Sequence, residues 1–167
     1  MDIFILRHGE AGKRTASGGN DSKRSLTAAG IQEITEIAES LEKIGAKFDV
    51  ILTSPLKRAQ QTADLVARQF KVQRRLRQVQ ELSPEGSKSN LYRMLSSFKE
   101  GTSILLVGHN PYLSEMISEV VTDGKYGRIN IKKGGVARIR VTNLTPKLKG
   151  ELRWLITPRL FKLISKD

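Results

Sequence analysis

Both histidines of the chain, His8 and His109, stand beside a glycine, and each follows a short apolar run. Arg7-His8-Gly9-Glu10 ends the first run and Gly108-His109-Asn110-Pro111 ends another. Between them Ser54-Pro55-Leu56-Lys57-Arg58 closes a third. Arg7 and Arg58 supply planar, permanently charged forks that suit a phosphoryl group. Gly9 and Gly108 would let the backbone come close to a ligand. A histidine in such an oxyanion pocket can act as a nucleophile and pass through a phosphohistidine intermediate. A carboxylic acid is then wanted to protonate the leaving group. Bland readings compete: His109 could serve a helix cap, and Arg58 could be a solvated helix residue like Lys57.

The elements around these segments decide whether they meet. Residues 2–6 read as a buried strand, Phe48 to Thr53 as a second and Ser103 to Val107 as a third. Thr27 is the expected N-cap of a helix carrying Ile31, Ile34, Ile37, Ala38, Leu41 and Ile44 at helical spacing and closing at Gly45. Ser54-Pro55 and Asn110-Pro111 both read as cap followed by proline, opening helices to about Phe70 and Val121. Residues 71–80 suit an edge strand, 81–89 a loop and 90–98 a helix. Residues 136–142 and 151–156 alternate and suit a hairpin around Pro146 to Gly150. The alternation predicts one α/β domain over residues 1–167: a three-layer α/β/α with a mainly parallel central sheet and an antiparallel edge. In such sheets ligands bind outside the carboxyl ends of the strands, where all three segments fall.

Composition narrows the chemistry. The chain has no cysteine, which excludes disulfides, thiolate nucleophiles and Cys-type metal sites. Two histidines exclude a site with three imidazole ligands, and no Asp or Glu stands at a helical metal-motif spacing from either. Gly12-Lys13 hints at a phosphate loop, but Arg14 stands where Ser or Thr is needed. No apolar run approaches the ~20 residues of a membrane span, and the N-terminus lacks a signal-peptide pattern, so a cytoplasmic location is expected. Of the net charge of +12, residues 125–167 carry +10, from 12 basic and 2 acidic side chains. A basic third favours an anionic partner or simply a solvated face.

Arg7-His8-Gly9-Glu10-Ala11 resembles the signature of the histidine phosphatase superfamily, which includes the phosphoglycerate mutases. Leu26-Thr27-Ala28-Ala29-Gly30, the segment from Ser54 to Ala63, and Val107-Gly108-His109-Asn110 resemble its further elements, so the likeness runs from Met1 to about Val121. The short length and Glu81-Leu82-Ser83-Pro84 look most like the SixA-type phosphohistidine phosphatases. The resemblance implies a phosphoglycerate mutase-like fold with His8 as nucleophile. It implies that Arg7, Arg58 and His109 bind the phosphoryl group and that no metal or organic cofactor is needed. Glu81 falls where many members place the proton donor, and Glu10 is a second carboxylate ranked below it.

The expected activity is removal of a phosphoryl group from a phosphorylated histidine of a protein, such as a phosphotransfer domain of a histidine kinase relay. About 22 residues separate Arg58 from Glu81 and about 27 separate Glu81 from His109, leaving little chain for a lid over a small molecule. A phosphatase or mutase for a small phosphorylated metabolite is the alternative. A nucleic-acid-binding module using the basic third is a third reading, disfavoured because aromatics are only 5% of the chain. The polar stretch Gly9–Ser25 is expected to be mobile and near the pocket, with Lys13, Arg14, Lys23 and Arg24 steering an anionic substrate.

Overall fold

A computed structural model describes residues 1–13, 21–122, 129–145 and 147–164; residues 14–20 of the polar stretch, including Arg14, and Pro146 of the predicted hairpin turn lie outside them. The apolar runs form the strands. They are β1 (Asp2–Arg7), β2 (Val50–Thr53), β3 (Leu76–Gln78), β4 (Ser103–Gly108), β5 (Val136–Asn143) and β6 (Lys149–Ile156). They make one sheet in the order β3-β2-β4-β1-β5-β6. β1, β2, β3 and β4 pair in parallel, while β5 and β6 add the antiparallel edge. All four residues of β2 and the last five of β4 are buried, as a parallel sheet covered on both faces requires.

Helices cover both faces. α1 (Ala28–Lys43), α2 (Lys57–Gln69) and α5 (Pro158–Ile164) bury Ile34, Ile37, Leu41, Val66 and Phe161 against Phe4, Leu6 and Val107. α3 (Lys88–Ser96) and α4 (Tyr112–Thr122) bury Leu91, Leu95, Leu113 and Ile117 against Ile3, Ile5 and Leu106 on the other side. The alternation of β1 side chains between these two cores follows from the two-residue period of a strand. The result is the three-layer arrangement with a mainly parallel sheet that the sequence predicts.

Local departures have local causes. Thr27 caps α1 by accepting from Gly30 N–H at 3.0 Å, but Ile31 and Ile44, at the two ends of the predicted apolar stripe, are each 41% exposed. α2 begins at Lys57 rather than Pro55, because Ser54 Oγ accepts from Leu56 N–H and so closes the turn ahead of the helix. α4 begins at Tyr112. The Asn110 side chain does not cap it but donates to Ile131 O at 2.9 Å. α5 is absent from the sequence reading. It has seven residues and one buried side chain, Phe161, too few for a periodic signal. Ser40 Oγ, donating to Phe161 O at 3.1 Å, helps to hold it on α1. Among the described residues no helix is long and apolar enough to cross a membrane.

Candidate active site

Parallel pairing puts the chemistry in one place. β1 and β4 are neighbours, with Arg7 in register with Gly108. His8 and His109, one residue beyond each strand, therefore lie side by side with ring centroids 5.0 Å apart. β2 flanks β4 on the other side, and Ser54 N–H donates to Val107 O, so the first turn of α2 brings Arg58 to the same edge. The site forms at the carboxyl end of the sheet, as the strand order requires.

His8 is 6% exposed. Its Nδ1 lies 2.7 Å from Gly9 O. A carbonyl can only accept, so Nδ1 carries the ring proton and Nε2 keeps its lone pair. Arg58 Nε–H donates to that Nε2 at 3.2 Å. Burial, with Arg58, Arg7 and Lys133 nearby, lowers the His8 pKa to about 4, against the pull of the Gly9 hydrogen bond. The ring is neutral at physiological pH and presents an unprotonated nitrogen. Gly9 is required for this packing, since a Cβ there would meet Ile34 Cγ1 at 2.7 Å. At Gly108 a Cβ would meet Leu113 at an ordinary 3.4 Å.

The cations are held from behind. Arg58 is 4% exposed, and its two terminal nitrogens donate to Asp21, at 2.8 Å to the carbonyl and 3.0 Å to the carboxylate. Asp21 also pairs with Arg24 at 2.7 Å. Arg7 Nη1 donates to Ile131 O at 3.1 Å, while its buried Nε has no hydrogen-bond partner among the described residues. Residues 131–135 turn over Arg7, and Gly134 N–H donates to Arg7 O.

His109 is 2% exposed and is held at the opposite ring nitrogen: Nε2 lies 2.8 Å from Ser54 Oγ. Ser54 Oγ accepts from Leu56 N–H and has no other acceptor for its own proton among the described residues, so it donates that proton to Nε2. That places the His109 proton on Nδ1, which is buried and without a partner among the described residues. Burial, then the neighbouring His8 and Arg58, lowers the His109 pKa to about 3.

Arg7, His8, Arg58 and His109 line one cleft of about 280 Å³ with Ala11, Asp21, Arg24, Pro84, Asn110 and Lys133. Glu81 is not among its walls. It sits on a 3₁₀ turn (Gln80–Leu82) and lines an adjoining depression with Gln80, Ser83, Glu85, Gly86, Ser87 and Asn90. Glu10 is exposed and likewise outside the cleft, and its carbonyl accepts from Thr27 N–H. Sequence reasoning missed Asp21, Ser54 as a partner of His109, Asn110 as a wall residue, and Lys133. Only Lys133 carried a signal, the dense run Lys132-Lys133-Gly134-Gly135 beside a predicted strand.

Residues 3–84 match the family model for the histidine phosphatase superfamily, branch 1. An uncharacterised protein of Picosynechococcus sp. (strain ATCC 27264 / PCC 7002 / PR-6) is 32% identical over 95% of this chain and 98% of its own. The phosphohistidine phosphatase SixA of Escherichia coli (strain K12) is 31% identical over 72% of this chain and 74% of its own. A solved structure of the protein histidine phosphatase SixA complexed with tungstate superposes with a TM-score of 0.83 at 25% identity, covering 96% of this chain and 99% of that one. The chain belongs to the histidine phosphatase superfamily and is a phosphatase.

Proposed function

We propose that the phosphatase acts on phosphohistidine carried by a protein, such as a phosphotransfer domain of a signalling relay. The observation that carries this is the acid–base make-up of the cleft. Among the described residues lining it, Asp21 is the one carboxylate, and it is bonded to Arg58 and Arg24. An alkyl phosphate leaves as an alkoxide and needs a proton as its bond breaks. A phosphohistidine protonated on its distal ring nitrogen leaves as neutral imidazole and needs none from the enzyme. The similarity to SixA supports the same substrate class.

In the first step the Arg58 Nε–H bond to His8 Nε2 gives way and the freed lone pair attacks phosphorus in line. The Nε2–P bond forms, the P–N bond to the substrate imidazole breaks, and that electron pair goes to the departing ring. Arg7, Arg58 and the unspent Nδ1–H of His109 bind the equatorial oxygens as charge spreads over them. The Gly9 carbonyl holds His8 Nδ1–H as positive charge grows on the ring. In the second step water attacks phosphorus, the P–Nε2 bond breaks, and its electron pair returns to His8. The water proton leaves with phosphate or to solvent.

The test is turnover of a phosphorylated phosphotransfer domain, 3-phosphoglycerate and sugar phosphates by the wild type and a His8→Ala variant. The domain should have the highest kcat/KM. A metabolite turned over about a hundredfold faster (~2.7 kcal/mol in the barrier) would overturn the substrate assignment. Glu81→Gln should leave domain turnover nearly unchanged.

A further inference from the structure

Beside the cleft lies a second, larger depression of about 530 Å³, lined by Arg7, Glu33, Lys132, Lys133, Thr157, Pro158 and Arg159. Arg7 and Lys133 line both, so the two are contiguous. Its charge is lopsided, with four cations against one carboxylate. Glu33 is already paired with Lys162, 3.8 Å away. Lys132, Lys133 and Arg159 make none of the ion pairs formed among the described residues. They are exposed and gathered onto one wall by two separate segments, the 131–135 turn and the start of α5. Unpaired cations converging beside a phosphoryl site create a local positive field that selects an anionic neighbour.

We infer that this depression is a docking subsite for a carboxylate side chain flanking the phosphohistidine on the protein substrate. The inference rests on the protein-substrate reading above. With a phosphohistidine seated against His8, the flank of its carrier lies over the Arg7–Lys133 wall and reaches Lys132 and Arg159. An apolar or basic flank would desolvate or repel these cations, whereas an Asp or Glu pairs with them. The basic C-terminal segment thereby acquires a role in choosing among phosphorylated partners.

The test is a Lys132→Glu/Arg159→Glu double variant, compared with wild type on a phosphorylated phosphotransfer domain, on phosphoimidazole and on 3-phosphoglycerate. Both positions are exposed and outside the catalytic cleft, so the fold and the phosphoimidazole rate should be preserved. KM for the domain should rise about tenfold or more, with kcat little changed. An unchanged KM, or an equal loss on domain and phosphoimidazole, overturns the subsite. Loss confined to 3-phosphoglycerate overturns the protein side chain as occupant in favour of a small molecule's own carboxylate. A wild type that hydrolyses phosphoimidazole but not the domain overturns the substrate reading itself, and the subsite with it.

Discussion

His8 and His109 are chemically the same group, buried to a similar degree, one residue past adjacent strands in register. Their hydrogen bonds set them apart. Both rings carry the proton on Nδ1, but His8 spends that proton on its neighbour's carbonyl and turns to the cleft a lone pair held only by Arg58 Nε–H, a donor that a phosphoryl group can draw away. His109 spends its lone pair on the Ser54 hydroxyl and keeps the proton in reserve. One ring presents a nucleophile and the other a donor. Such partners are how two copies of one side chain acquire different roles.

The comparison breaks most sharply at His8. His8→Ala removes the attacking atom, and kcat/KM should fall by about 10⁴-fold or more. An acid-labile, base-stable phosphoryl label should form on His8 of the wild type in a quenched reaction and be missing from the variant. His109→Ala should lose less, about 10²- to 10³-fold, the size of a lost oxyanion donor, and should still acquire the label. Equal losses, or a label on His109, would erase the distinction between the rings. Arg58→Ala should resemble His109→Ala, with an added loss of His8 placement because its Nε–H bonds His8 Nε2.

The pH profile sharpens the same point. If His8 must be neutral, kcat/KM should hold from neutral pH down to about 5 and fall as pH drops through about 4. A fall already near 6.5 would mean an unperturbed nucleophile. The same burial links the pair to stability. The unfolded rings take up protons near the ordinary 6.5, whereas the folded rings wait until about 4 and about 3. The unfolded state therefore binds more protons in that window, and stability should rise with pH across it. Urea melts of His8→Asn should show a flatter slope between pH 4 and 6.5.

Why some of this was legible in sequence and some not follows from range. His8, Arg58 and His109 each sit within a few residues of a strand whose apolar run announces it, and parallel pairing does the rest. Glu81 stands on a 3₁₀ turn after a three-residue edge strand, where the chain's path is set by tertiary contacts rather than by periodicity. Gly86 packs so tightly on the Glu81 backbone that a Cβ would come within 2.2 Å of its carbonyl. Asp21 lies 37 positions from the Arg58 it meets, in a polar stretch with no apolar pattern to place it. Lys132, Lys133 and Arg159 were visible as charge, but their convergence depends on α5, whose one buried residue left no stripe to read.

Ser54 gives the smallest and most selective test. It was expected to cap a helix, and its hydroxyl instead links Leu56 N–H to His109 Nε2. Ser54 does not line the cleft, so its removal should act through its two hydrogen bonds, to His109 and to Leu56 N–H ahead of α2. Ser54→Ala leaves Nε2 without its donor. The ring can then move its proton to that nitrogen, after which Nδ1 offers a lone pair to an oxyanion it should bind with a proton. The two tautomers differ by about one neutral hydrogen bond, ~1 kcal/mol, so only part of the population should switch. The expected loss in kcat/KM is about five- to tenfold, well short of His109→Ala. Nitrogen-15 shifts of the imidazoles separate this from a general loosening of the fold. Wild type should show Nδ1–H on both rings. Ser54→Ala should move the His109 signals toward the other tautomer while those of His8, fixed by the Gly9 carbonyl, stay put. Ser54→Thr, which restores a hydroxyl, should recover both the shift and most of the rate. If His109 keeps its tautomer in Ser54→Ala while activity still falls, Ser54 acts by packing, and the donor role of Nδ1 must be assigned to something other than this hydrogen bond.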